Sequence, residues 1–258
     1  MKVIDCFIFY NELDMLKFRL KELNDCVDYF VLVECIKSHQ YNDKELYFEN
    51  NKDKFAEYLH KIVHVIVKDN IPTTGITWDI ENYQRNSIDI GIKKLNLNND
   101  DIIIISDLDE IPDPNTINTL KKSNLNGIYQ LEQVLYYYNL NTKFENIIWI
   151  YPKILNYGNY NGSPQSYRDY NNYPVIKNGG WHFSYFGNLN FIKNKISNFA
   201  HSEFNNDYML NDERLLKQIK NNKDLYEHKH YKIIFIDIKD NNYLPKNYKD
   251  LLEFGFNE

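Results

Sequence analysis

Three apolar runs of strand length, residues 3–10, 29–35 and 62–67, are separated by stretches with helical spacing. That alternation constrains the fold more than any other feature of the chain. Leu13, Leu16, Leu20 and Leu23 share one side of a helix after the first run, and a helical stretch around 52–59 precedes the third. Residues 79–95 read as a longer helix, with Ile80, Tyr83, Ile88 and Ile92 on one side, feeding a fourth apolar run at 102–105. Parallel strands need a crossover between them, and a helix is the usual one. The alternation therefore predicts an α/β fold with a Rossmann-like mixed sheet, mostly parallel and flanked by helices.

Beyond Pro114 the pattern changes. A short helix to residue 122 precedes an aromatic strand at 127–138 and another near 147–154, which read as antiparallel or mixed additions. Residues 157–173 are rich in Asn and Tyr and hold Gly158, Gly162 and Pro164, giving either a loop over a site or a long surface excursion. Strand character returns at 181–186, helices are predicted at 191–199 and 212–221, and a last strand at 232–236. With no internal repeat or linker, one domain is expected over 1–258.

The fourth apolar run ends in Ser106-Asp107-Leu108-Asp109-Glu110-Ile111-Pro112. Ligand sites in open α/β sheets lie beyond strand carboxyl ends. Mg²⁺ and Mn²⁺ take hard oxygen ligands, usually one or two carboxylates together with phosphate oxygens, so Asp107 and Asp109 are candidates to hold such an ion against a diphosphate. Two carboxylates this close repel, and a cation or a shifted pKa is needed to hold them together. The competing reading is a solvated acidic turn that Pro112 closes.

Composition narrows the partners. A net charge of −6 with no Lys/Arg cluster argues against a nucleic-acid partner. The apolar runs fall far short of the roughly 20 residues of a membrane span, and residues 1–5 lack a signal peptide's apolar stretch. A soluble, cytoplasmic protein is the expectation. Three cysteines without metal-ligand spacing read as reduced packing residues. The 22 Tyr suit sugar recognition, since aromatic rings stack on sugars while their hydroxyls stay hydrogen-bonding.

Several separated segments together resemble glycosyltransferase family 17, whose best-known members are the bisecting N-acetylglucosaminyltransferases. They are Asn11-Glu12-Leu13-Asp14 with Arg19-Leu20 and Glu22-Leu23; Val27-Asp28, Phe30-Val31 and Glu34; Trp78 and Arg85; the acidic segment; Gly180-Trp181-His182-Phe183-Ser184; and Lys195-Ile196 with His201-Ser202-Glu203-Phe204. The resemblance implies a GT-A type fold and a metal-dependent, inverting enzyme that uses a UDP-sugar. The sugar expected is N-acetylglucosamine and the acceptor a glycan hydroxyl. Residues 1–112 would form a nucleotide-binding half and 113–258 an acceptor half. Compared with animal members the chain is expected to lack an amino-terminal membrane anchor and a stem and is shorter between Tyr138 and Gly179, so the acceptor is the first point on which it is expected to differ.

The resemblance also distributes roles. Asp109 would coordinate Mn²⁺ or Mg²⁺, Asp107 would contact the metal through water or reach the ribose, and Glu110 would brace the loop. Tyr10, Asn11 and Glu12 stand where uracil and ribose are received, although Asn11 also reads as a helix N-cap. Glu34 and Arg85 would line the nucleotide pocket, while Arg85 suits a carboxylate as well as a phosphate. His182 would complete the metal site against the alternative of a satisfied core histidine, Trp181 would stack on the sugar, and His201 would join the acceptor side. Glu203 is the chosen general base. The competing assignment makes His182 or Asp207 the base and His201 the ligand. Two other classes stay open, a non-catalytic carbohydrate-binding protein and an Asp-x-Asp phosphatase.

Overall fold

The computed structural model describes residues 1–256. The first half alternates as the sequence predicts. Strand β1 (Val3–Phe9) leads to helix α1 (Leu13–Leu23), β2 (Tyr29–Cys35), a short α2 (Tyr47–Asn50), β3 (Ile62–Val67), α3 (Thr77–Asn86), α4 (Ile88–Ile92) and β4 (Ile102–Asp107). These four strands are all parallel, in the order β3-β2-β1-β4. Strands β2 and β4 therefore lie on opposite sides of β1, which makes the β1/β4 boundary the point where strand order reverses.

The rest of the chain continues that sheet with mixed pairing. It comprises β5 (Glu110–Pro112), α5 (Pro114–Lys122), β6 (Ile128–Tyr137), β7 (Asn139–Phe144), β8 (Lys153–Asn156), α6 (Pro164–Asp169), β9 (Val175–Ser184), α7 (Leu189–Asn198), α8 (Asp212–Lys220), β10 (Ile233–Phe235) and α9 (Tyr248–Phe254). β8 pairs antiparallel with both β4 and β6, which joins the two halves into one sheet. β9 runs parallel to β6 and antiparallel to β5.

Alternation along β1 divides the core. Phe7 and Phe9 pack on one face with Leu16, Phe18 and Leu20 of α1, while Ile4 and Cys6 pack on the other with Ile88 and Ile92 of α4. Cys6, Cys26 and Cys35 are buried free thiols. One buried ion pair interrupts the apolar face: Arg19 of α1 donates through Nε and Nη2 to the two carboxylate oxygens of Asp5 at 2.7 and 2.6 Å.

Several predicted boundaries differ. The helix read over 79–95 is two helices, because the Ser87 hydroxyl donates to the Tyr83 carbonyl at 2.8 Å and the backbone breaks there. The stretch 52–59 holds only a 3₁₀ turn at Lys52–Phe55. Of 147–154 only its end joins β8, and the excursion 157–173 contains α6. Asn11 is not the N-cap of α1: that position is Glu12, whose side chain makes no capping bond.

Candidate functional site

The acidic segment forms a tight link at the carboxyl end of β4, beside the carboxyl end of β1. Its shape is held from below by Arg19. One guanidinium nitrogen donates to the carbonyls of Asp107, Leu108 and Glu110 at 2.7, 2.9 and 3.0 Å, and the other to Ser106 Oγ at 2.6 Å. The Asp5 pairing keeps that guanidinium in place.

Glu110 points inward and braces the link. Its carboxylate accepts the Asp107 backbone N–H at 2.6 Å, the Trp149 indole N–H at 2.7 Å and Arg168 at 2.7 and 3.0 Å. Arg168 comes from α6 and also reaches Asp107 Oδ2 at 2.7 Å. Arg85 of α3 meets the other oxygen, Oδ1, at 2.8 Å, while also holding Glu81 at 2.8 Å. Burial alone would raise the Asp107 pKa, but the two guanidiniums outweigh it and hold the carboxyl down at about 2.

Asp109 is compensated separately. Lys195 of α7 lies 2.7 Å from Oδ2 and His182 Nε2 lies 3.5 Å from Oδ1. Despite burial, Lys195 and then His182 keep this carboxyl well below the usual carboxylate range. The same ammonium lies 3.6 Å from Glu12 Oε1, so it ties the end of β1 to the end of β4.

β-Pairing explains which neighbours face the site. Glu110 pairs with His182 and Ile111 with Trp181 across β5 and β9, and successive strand residues point to opposite faces. His182 therefore faces Asp109 and packs on the Trp149 ring at 4.3 Å, with its Nδ1 buried and unpartnered. Trp181 points into the core, only 2% exposed, with its indole donating to the Tyr243 carbonyl at 3.1 Å. It has no open face for a sugar, contrary to the role expected of it. Gly180 permits this pairing: it has φ +133°, and a Cβ there would lie 2.0 Å from the Ile111 carbonyl.

The other predicted residues are spread around this centre. Tyr10 follows β1, its ring against Tyr47 and near the Lys44 ammonium, and burial pushes its phenol up to about 12. Asn11 donates to Asn194 of α7 at 3.1 Å. Glu34 is fully buried and is used internally, accepting the Phe48 and Glu49 backbone N–H groups and meeting His64 at 3.2 Å. It is a brace for α2, not an open pocket wall. Arg85 pairs with carboxylates.

His201 and Glu203 lie on the exposed segment after α7 and pair at 2.8 Å. Burial of Glu203 is slight, and the His201 contact keeps its carboxyl below the usual value. His201 stands at right angles to the Trp78 ring at 4.8 Å, and this Trp is 43% exposed where Trp181 is buried. Asp207 is exposed farther along the same segment.

The four oxygens of Asp107 and Asp109 thus each face a different basic side chain. Among the described residues, no three His, Cys, Asp or Glu side chains gather into a metal-ligand set. Asp107, Asp109 and His182 in this arrangement do not fit a divalent cation. A cavity of about 400 Å³ bordered by Asp113, Thr116, Ile176 and Tyr243 lies elsewhere, with none of residues 107–110 on its walls. Sequence reasoning gave no role to Arg19, Trp149, Arg168 or Lys195. Arg19 and Lys195 fall in segments that carried the resemblance, whereas nothing in the sequence marks Arg168 or Trp149.

Comparison with known proteins agrees with the resemblance. The model of glycosyltransferase family 17 matches residues 1–248. The beta-1,4-mannosyl-glycoprotein 4-beta-N-acetylglucosaminyltransferases of Rattus norvegicus and Homo sapiens are each 33% identical over 117 residues, and that of Mus musculus is 32% identical over the same length. Each match covers 43% of this chain but only 22% of the relative, so the chain corresponds to a minor part of those proteins. No helix among the described residues is long and apolar enough to cross a membrane. Matched over nearly its whole length, the chain belongs to glycosyltransferase family 17.

Proposed function

We propose that this protein is an inverting glycosyltransferase of GT-A type that moves N-acetylglucosamine from a UDP-sugar to a glycan hydroxyl. The observation that carries this reading is the position of the acidic link. It lies beyond the carboxyl ends of β1 and β4, where strand order reverses and where open α/β sheets receive nucleotides. The relatives, mannosyl-glycoprotein N-acetylglucosaminyltransferases by name, suggest the sugar and the acceptor class.

In this reading residues 1–112 form the donor half. Tyr10, Asn11 and Glu12 border the nucleoside, and the diphosphate lies over the first turn of α1, whose backbone N–H groups have no side-chain cap. Arg85 and Arg168 add positive charge beside Asp107. Residues 113–258 form the acceptor half. Trp78 of α3 joins them, since its neighbour Thr77 donates to the Ala200 carbonyl at 2.5 Å. Trp78 and Arg85 are two helical turns apart, about 10 Å along the axis, so one helix spans from the acidic link to the acceptor side.

Transfer is a single displacement. The acceptor oxygen attacks the anomeric carbon, its proton passes to the Glu203 carboxylate, and the bond to the diphosphate breaks with its electron pair leaving on UDP. His201 orients Glu203 for that step.

The test begins with UDP. A thermal shift on adding UDP supports the donor site, and release of UDP from UDP-N-acetylglucosamine, slow alone and faster with a glycan acceptor, supports transfer. A protein that binds glycans but ignores UDP would be a carbohydrate-binding module, and one that releases inorganic phosphate would be a phosphatase. Either result overturns the proposal.

A further inference from the structure

Lys195 occupies the coordination space of Asp109. Its ammonium is buried, donates to Oδ2 at 2.7 Å and is shared with Glu12 Oε1 at 3.6 Å. The rings of Phe199 and Tyr185 lie 4.9 and 5.5 Å from it, so the cation is screened by aromatic faces instead of water. A hydrated surface lysine swings away from a carboxylate at little cost. One confined between two carboxylates and two rings does not.

We infer that Lys195 and a divalent cation are mutually exclusive occupants of Asp109, so that Asp109 takes up a metal only when the ammonium is displaced. A divalent ion binds carboxylate oxygen at roughly 2.0–2.2 Å. Placed on Oδ2 it would lie against the ammonium in a site with little solvent to screen two positive charges. Placed on Oδ1 it would find His182 but not Asp107, whose oxygens belong to Arg85 and Arg168. Lys195 thus determines whether Asp109 is open to a metal. This inference does not rest on the choice of donor or acceptor.

The experiment titrates Mn²⁺ against the nucleotide-free protein and follows the ion by electron paramagnetic resonance. Lys195→Met and Lys195→Gln remove the charge, and either one that remains folded by circular dichroism serves. Each is expected to bind Mn²⁺ at least about tenfold more tightly than wild type. Lys195→Arg keeps the charge and gains nothing, and adding Asp109→Asn to Lys195→Met abolishes the gain. Equal affinity in wild type and the neutral variants, or a gain that survives loss of Asp109, overturns the inference. No sugar nucleotide is present, so failure here leaves the transferase reading standing.

Discussion

Arg168 Nη2 lies 2.7 Å from Asp107 Oδ2, although 61 residues separate the two in sequence. The same guanidinium holds the buried Glu110 carboxylate, so one side chain spans two acids of the link. Arg168→Ala is expected to lower stability by roughly 3–5 kcal/mol, because it leaves a buried charge unpaired. Arg168→Lys is expected to recover little of that, since a point charge cannot serve two carboxylates as a planar fork does. Urea unfolding of the three proteins decides this; near-equal midpoints would refute it.

Arg19 should matter as much, by a different route. Arg19→Met keeps much of the buried volume but leaves Asp5 unpaired and releases the carbonyls of Asp107, Leu108 and Glu110. A loss of about 3–5 kcal/mol is expected, and the pairing partner gives the control. Asp5→Asn combined with Arg19→Met should be less harmful than the two losses added, because they share one interaction. Additive losses in the double-mutant cycle would contradict the pairing.

Asp107 gives the stability an acid limb. Folding lowers its pKa from 3.8 to about 2. Its contribution is therefore complete above the unfolded value and drains away as pH falls from about 4 towards 2. Melting temperature should decline across that window, and Asp107→Asn should flatten the decline while lowering the plateau. An unchanged slope in the variant would show that Asp107 contributes nothing to it.

The two tryptophans should separate cleanly. Trp181→Ala removes a core side chain and is expected to cost about 3–5 kcal/mol. Trp78→Ala should change stability by no more than about 0.5 kcal/mol. It should instead raise the acceptor KM about tenfold, the scale of one lost aromatic contact of about 1–1.5 kcal/mol. Steady-state kinetics with varied acceptor, beside thermal melts, reads both. A Trp78→Ala enzyme with unaltered acceptor KM would remove that residue from the acceptor side.

Glu203→Gln keeps the size of the side chain and removes its basicity. Turnover is expected to drop at least about a hundredfold, within the usual range for a general base, while UDP still raises the melting temperature. Full turnover would pass the role to Asp207 or His182.

The parallel half of the sheet was legible because each strand is a compact apolar run bounded by polar residues. The break between α3 and α4 was not, since Ile80, Tyr83, Ile88 and Ile92 keep one period through it and a hydroxyl back-bond at Ser87 leaves no trace in that period. The sugar-stacking role expected of Trp181 fails on strand geometry. Neighbours on a strand face opposite ways, so a His182 that faces Asp109 already assigns Trp181 to the core. Arg168 was hidden for a better reason: α6 is six residues long and sits in a polar stretch without periodicity. The acidic motif itself was legible, but its counter-charges come from distant helices, and spacing along a chain says nothing about them.

The way Arg19, Arg85, Arg168 and Lys195 converge on one link has a consequence for how the protein is made. During synthesis the link and its first two partners emerge together, yet Glu110 still waits for residue 168 and Asp109 for residue 195. A nascent chain stopped between them carries two acids that the folded site buries but cannot yet neutralise. The site should therefore consolidate late, after α7 has left the ribosome, and a fragment ending near residue 112 should not hold the link in its folded shape.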